Sequence, residues 1–123
     1  MIFPQIKARI QPGRLLGSSY TVTSYKTNRD GEEVLVYRIR KRARSPGRPS
    51  EKRIAESEWE QAHARLLAVG EFSREWFRKN MPSAYASPCN FTVIGEAFLF
   101  LGVADSHRPA RYIRAQQAKA AKK

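Results

Sequence analysis

Residues 57–80, SEWEQAHARLLAVGEFSREWFRKN, combine two helix starts with one helix stop, and they limit the fold more than any other stretch of the chain. Ser57 and Glu60 have the spacing of a capping box, in which each side chain meets a backbone N–H orphaned at a helix start. Trp59, Ala62, His63, Leu66 and Leu67 then recur on one helical face. Gly70 falls where a helix C-terminus favours a residue that tolerates positive φ. Ser73 is placed to cap a second helix, with Phe72 and Phe77 spaced around it as a hydrophobic staple. The pattern predicts helices over residues 57–69 and 73–80, the second carrying Arg74, Arg78 and Lys79 on its outer side.

Upstream, residues 20–41 read as a β-hairpin. Asp30-Gly31 is a favoured two-residue turn, because both central positions need positive φ. On that turn Val22 faces Ile39, Ser24 faces Tyr37 and Lys26 faces Leu35, while Tyr25, Arg38 and Arg40 share the other face. A slip of one residue would exchange the faces. Residues 1–16 alternate loosely, Ile6, Ala8 and Ile10 against Lys7 and Arg9, which predicts a further short strand ended by Pro12-Gly13.

The most basic stretch is 38–53, with Arg38, Arg40, Lys41, Arg42, Arg44, Arg48, Lys52 and Arg53 against the single acid Glu51. Its centre, Ser45-Pro46-Gly47-Arg48-Pro49-Ser50, excludes helix and central strand. Residues 42–56 are therefore expected to form an exposed basic loop. Gly47-Arg48-Pro49 resembles the core of an AT-hook, a short extended reader of the DNA minor groove, with Pro46 where that motif has another arginine. The resemblance covers three residues and their basic flanks, and it implies arginines lying along the groove floor. A basic arm without the motif would act by neutralising phosphates. A solvated linker is the plain alternative.

Residues 57–80 are also similar to a helix-turn-helix, with Gly70 in the turn, Ala62 before it, and apolar Val69 and Trp76. Leu66 and Arg65 depart from that pattern, and an ordinary αα-hairpin accounts for the same residues. In a DNA-reading pair, Arg74, Arg78 and Lys79 would meet phosphates or guanine edges.

Residues 89–104, CNFTVIGEAFLFLGVA, are apolar nearly all round and belong to a core. Periodicity leaves two readings open: a helix over 91–101 capped by Asn90 and closed by Gly102, or a hairpin turning at Gly95-Glu96. Residues 81–88 read as a loop in which Tyr85 is a candidate for base stacking, although an aromatic in a loop more often packs onto the core. Residues 105–109 read as another loop, and Tyr112-Ile113 as a short strand. Arg108, Arg111, Arg114 and three lysines follow without an acid, and 115–123 reads as a flexible basic tail.

The single cysteine, Cys89, and two histidines, His63 and His107, supply no zinc-type ligand set, and no metal or cofactor is expected. A glycine-rich phosphate loop is missing too. Asp30, Glu32 and Glu33 fall at a turn, and Glu56, Glu58 and Glu60 at a helix start where the macrodipole favours them. These patterns predict a protein that is not an enzyme. Lys and Arg number 23 against 11 acids, and the formal charge of +12 attracts polyanions.

The sequence thus predicts one α+β domain over residues 1–114. A basic N-terminal antiparallel hairpin of two or three strands would pack on two or three helices in a winged-helix-like arrangement. The expected partner is nucleic acid, duplex DNA before RNA, met by Arg38, Arg40, Arg42, Arg44, Arg48, Lys52, Arg53, Arg74, Arg78, Lys79, Arg111 and Arg114. Two-fold dimers are common among such binders. The alternatives are RNA or ribosome binding through Tyr25, Arg38 and Arg40, and docking on an acidic protein. No apolar run suits a signal peptide or a membrane span, so a cytoplasmic location, nucleoid-associated in a bacterium, is expected.

Overall fold

The computed structural model describes residues 1–39 and 51–115. In chain order they form α1 (Phe3–Arg9), β1 (Leu15–Leu16), β2 (Tyr20–Thr27), β3 (Glu33–Ile39), β4 (Glu51–Ala55), α2 (Glu56–Val69), β5 (Glu71–Ser73), α3 (Arg74–Asn80), α4 (Pro82–Tyr85), α5 (Cys89–Leu101), β6 (Ala104–Arg108) and β7 (Arg111–Arg114). The fold is α+β. Its strands make two antiparallel sheets, one ordered β1-β2-β3-β4 and one ordered β5-β7-β6. A single buried cluster draws Phe3 and Ile6 from α1, Leu35 and Tyr37 from β3, and Trp59 and Leu66 from α2. Phe72, Phe98 and Tyr112 complete it from β5, α5 and β7.

The start of the chain is a helix, not the strand its alternation suggests. Ile2, Phe3, Ile6 and Ile10 are buried at helical spacing, and Pro4 sits in the first turn, where its missing N–H costs nothing. The Ile2 and Phe3 N–H groups donate to the Glu60 carboxylate at 3.1 and 2.8 Å. Glu60 therefore caps α1 instead of closing a box with Ser57. Glu58 takes that part on α2, accepting from the Ala55 N–H at 2.9 Å, and the Ser57 N–H donates to Glu32 at 2.6 Å.

The β2–β3 hairpin forms, but on a different turn. Thr27 pairs with Glu33, Asn28 accepts from Gly31 at 3.0 Å, and Gly31 has φ +82°. This is a three-residue loop ending in a left-handed glycine, in place of the two-residue Asp30-Gly31 turn. The Asn28 Oδ1 holds it by accepting from the Asp30 and Glu32 N–H groups at 3.0 and 2.9 Å. The register moves by one residue, and again at a bulge at Thr23, so that Tyr25 faces Leu35 and Val22 faces Tyr37. Tyr25 consequently turns inward, its hydroxyl donating to the Ile10 carbonyl at 2.7 Å. The expected basic loop over 42–56 is also shortened, because residues 51–55 pair with β3 as β4 and bury Ile54.

Gly70 ends α2 at φ +85°, and Ser73 caps α3 by accepting from the Trp76 N–H at 3.1 Å. Phe72 and Phe77 close the staple at 5.5 Å between ring centroids. The residues between the helices are nevertheless a strand: β5 pairs with β7. A glycine turn followed by an extended cap residue is compatible with both arrangements, and only the distant partner Tyr112, opposite Phe72, selects the strand. Leu67, expected on the apolar face, is exposed. Residues expected as loops at 81–88 and 105–109 hold the short helix α4 and the strand β6. Tyr85 is packed edge-on against Phe77 at 6.1 Å and is not presented for stacking.

The apolar run is the helix α5, ended by Gly102 at φ +82°. Asn90 does not cap it. It lies buried inside the first turn, accepting from the Tyr37 hydroxyl and donating to the Ala84 carbonyl at 3.0 Å. Gly95 is required for another reason: a Cβ there would lie 1.9 Å from the Tyr112 ring, which rests flat against the helix backbone.

Candidate nucleic-acid interface

Alternation along the paired strands decides which cations share a surface. Leu35 and Tyr37 belong to the buried cluster, so Val34, Val36 and Arg38 point to the opposite side of the sheet. Lys26 lies opposite Val34, Arg53 opposite Val36, and Glu51 opposite Arg38. This opposite, outer face thus gathers the exposed Lys26, Arg38 and Arg53 around Val34 and Val36, which are themselves buried, with the half-buried Thr21 and Ser24 beside them. Its one acid, Glu51, is 3.9 Å from Arg38 in an exposed contact. Such a contact in water contributes little. Lys52 alternates to the other side, opposite Tyr37.

β3 ends at Ile39 and β4 begins at Glu51, across from Arg38. The basic connection therefore leaves and re-enters at one end of this sheet. Arg40, Arg42, Arg44 and Arg48 fall within it, as does the AT-hook-like Gly47-Arg48-Pro49, and all lie outside the described residues.

The remaining expected cations are dispersed over α3 and the smaller sheet. Arg74 and Arg78 are one turn apart on α3, both exposed. Arg74 lies over the Phe91 ring at 4.9 Å, while Lys79 pairs with Glu75 at 3.2 Å. Two others are tied to the fold itself: Arg111 pairs with Glu71 at 3.5 Å, and Arg114 donates to the Leu67 carbonyl at 2.6 Å. Lys26 was not expected among the contacts. Only the register reveals it, since the two-residue turn would put it on the inner face.

Several polar groups cluster where β2, α3, α5 and β7 meet. Burial pushes up the phenols of Tyr20 and Tyr112, and the Arg74 guanidinium draws both down against it. The Tyr112 hydroxyl donates to Glu96 at 3.2 Å, and His107 stacks on the Tyr112 ring at 5.5 Å. Burial lowers the pKa of His63, which sits edge-on to Phe98 at 5.8 Å. Among the described residues no group of three or more His, Cys, Asp and Glu side chains is arranged to hold a metal ion. None of the described helices is long and apolar enough to cross a membrane. No family model, curated protein or solved structure matches this chain.

Proposed function

We propose that this is a non-enzymatic nucleic-acid-binding protein that grips the phosphates of duplex DNA. The surface would be the outer face of the four-stranded sheet and the basic connection at its end. The observation that carries the reading is the shared face of Lys26, Arg38 and Arg53, continuous in sequence with Arg40, Arg42, Arg44 and Arg48. A face with one carboxylate among several cations fits a polyanion and not a mixed-charge partner. Lys and Arg on extended strands release condensed counterions when they meet phosphates, which gives affinity without sequence preference.

Duplex is favoured over unpaired RNA because the described outer-face positions hold no aromatic ring. Recognition of single strands draws on stacking platforms, and Tyr25, the ring expected there, is turned to the core. Arg74 and Arg78 supply a second, smaller set of contacts on α3.

The test is fluorescence anisotropy of a labelled duplex with wild type and with the variant Lys26→Ala/Arg38→Ala/Arg53→Ala. The variant should bind more weakly to every duplex sequence alike, with its salt slope reduced by about 3, one per lost phosphate contact. An unchanged slope would remove the sheet face from the reading.

A further inference from the structure

We propose that Arg9, Arg14 and Phe100 form a separate oxyanion site, one that takes a phosphate group. Arg9, Gln11, Pro12, Gly13, Arg14 and Leu15 line a shallow depression of about 290 Å³ between the end of α1 and β1. No carboxylate of the described residues lines it. Both guanidiniums lie over the half-buried Phe100 ring, Arg14 at 4.5 Å and Arg9 at 5.7 Å. Two like charges are thus held beside one ring. Neither has an ion pair among the described residues, and the one hydrogen bond from Arg9 goes to the Leu101 carbonyl at 3.4 Å.

The loop is built to hold them there. Gln11 accepts from the Arg14 N–H at 3.0 Å across Pro12 and Gly13, and Gly13 has φ +100°. That is a type II turn, with proline and glycine where the geometry calls for them. The turn is then clamped to β2: the Gly13 N–H donates to Val22 at 2.7 Å, and the Val22 N–H to Arg14 at 2.9 Å. The backbone carrying Arg14 is fixed before any ligand arrives. The aromatic ring occupies one side of the guanidiniums and leaves their N–H edges for an acceptor. Planar guanidinium forks match the paired oxygens of a phosphate bidentately, as they do those of a carboxylate. An oxyanion between the two would also relieve their repulsion, which no carboxylate among the described residues does.

The arginines of the site are not among the cations of the sheet face, so separate variants test the two. The test is a titration of the isotope-labelled full chain with inorganic phosphate, against chloride at equal ionic strength, followed by backbone amide shifts. Phosphate should move residues 9–15 and 99–101 selectively, and the variants Arg14→Gln and Arg9→Gln should each lose most of that response while the remaining spectrum stays dispersed. Equal shifts with chloride, or undiminished phosphate shifts in the Arg9→Gln/Arg14→Gln double variant, would overturn the site. Its natural source follows from two further arms. A duplex that moves the same amides, with a salt slope lowered by about 1 in Arg14→Gln, makes the phosphate that of a strand. Response to phosphate and a nucleoside monophosphate, but not to the duplex, makes it that of a small ligand.

Discussion

Replacing Gly95 with alanine should destabilise the protein, although alanine is the better helix former. The gain from helix propensity is about 1 kcal/mol. Against it, the new methyl carbon would sit 1.9 to 2.2 Å from three atoms of the Tyr112 ring. Carbon atoms in contact lie at about 3.5–4.0 Å, so the ring would have to retreat by about 1.5 Å or more. Overpacking of this kind costs about 1–3 kcal/mol. The retreat also weakens the Tyr112–Glu96 bond at 3.2 Å, a contact to a charged group contributing about 1.5 kcal/mol at the exposed end of its range. The net loss is about 2 kcal/mol, which lowers Tm by about 8 °C in a domain of this size. Urea unfolding followed by circular dichroism measures it. In a Tyr112→Ala background the clash is absent, and Gly95→Ala should become stabilising by up to about 1 kcal/mol. An equal effect in the two backgrounds would refute the argument that the ring demands the glycine.

Glu60→Ala should cost about 2 kcal/mol, because two N–H groups at the start of α1 lose a charged acceptor; amide exchange at Phe3 and Ile6 should accelerate with it. Asn90→Leu should destabilise by about 1–3 kcal/mol by stranding the buried Tyr37 hydroxyl, and calorimetry reads that directly. The protein should also unfold in alkali. Burial raises the Tyr25, Tyr37 and Tyr112 phenols above their ordinary value of 10.0. The stability linked to them is intact below that value and is lost as pH rises toward the folded-state values, because the unfolded chain ionises first. Phenolate absorbance should therefore rise together with loss of ellipticity, and separate ionisation of a folded chain would contradict it.

Local signals in the sequence were reliable where the partner is near. Gly70, Ser73, Gly102 and the Phe72–Phe77 pair act within one turn of themselves, and each does what its spacing predicts. Errors arose where a distant residue decides. Glu60 has correct spacing for a local cap, yet the N–H groups it meets belong to Ile2 and Phe3. The loose alternation of residues 1–16 hid a helical face, because Ile2, Phe3, Ile6 and Ile10 fit a period of 3.6 as well as a rough period of two. β5 has only three residues, and β6, Ala-Asp-Ser-His-Arg, has no apolar alternation to mark it without β7 beside it. For the candidate interface, Arg38 and Arg53 were evident from charge alone. Lys26 and Tyr25 changed sides because a three-residue loop replaced a two-residue turn, and nothing in Asn28-Arg29-Asp30-Gly31 distinguishes the two by composition. Arg9 and Arg14 carry no sequence signal of a shared site, because their common neighbour, Phe100, is far along the chain.

Binding of the wild-type chain to a labelled DNA duplex across about 50 to 200 mM salt is the decisive measurement. With about six phosphates neutralised, log affinity should fall against log salt with a slope of about −5, and unpaired RNA of equal length should bind less tightly. A slope near zero, or binding no stronger than that of a neutral control protein, would mean that the basic sheet face does not serve nucleic acid.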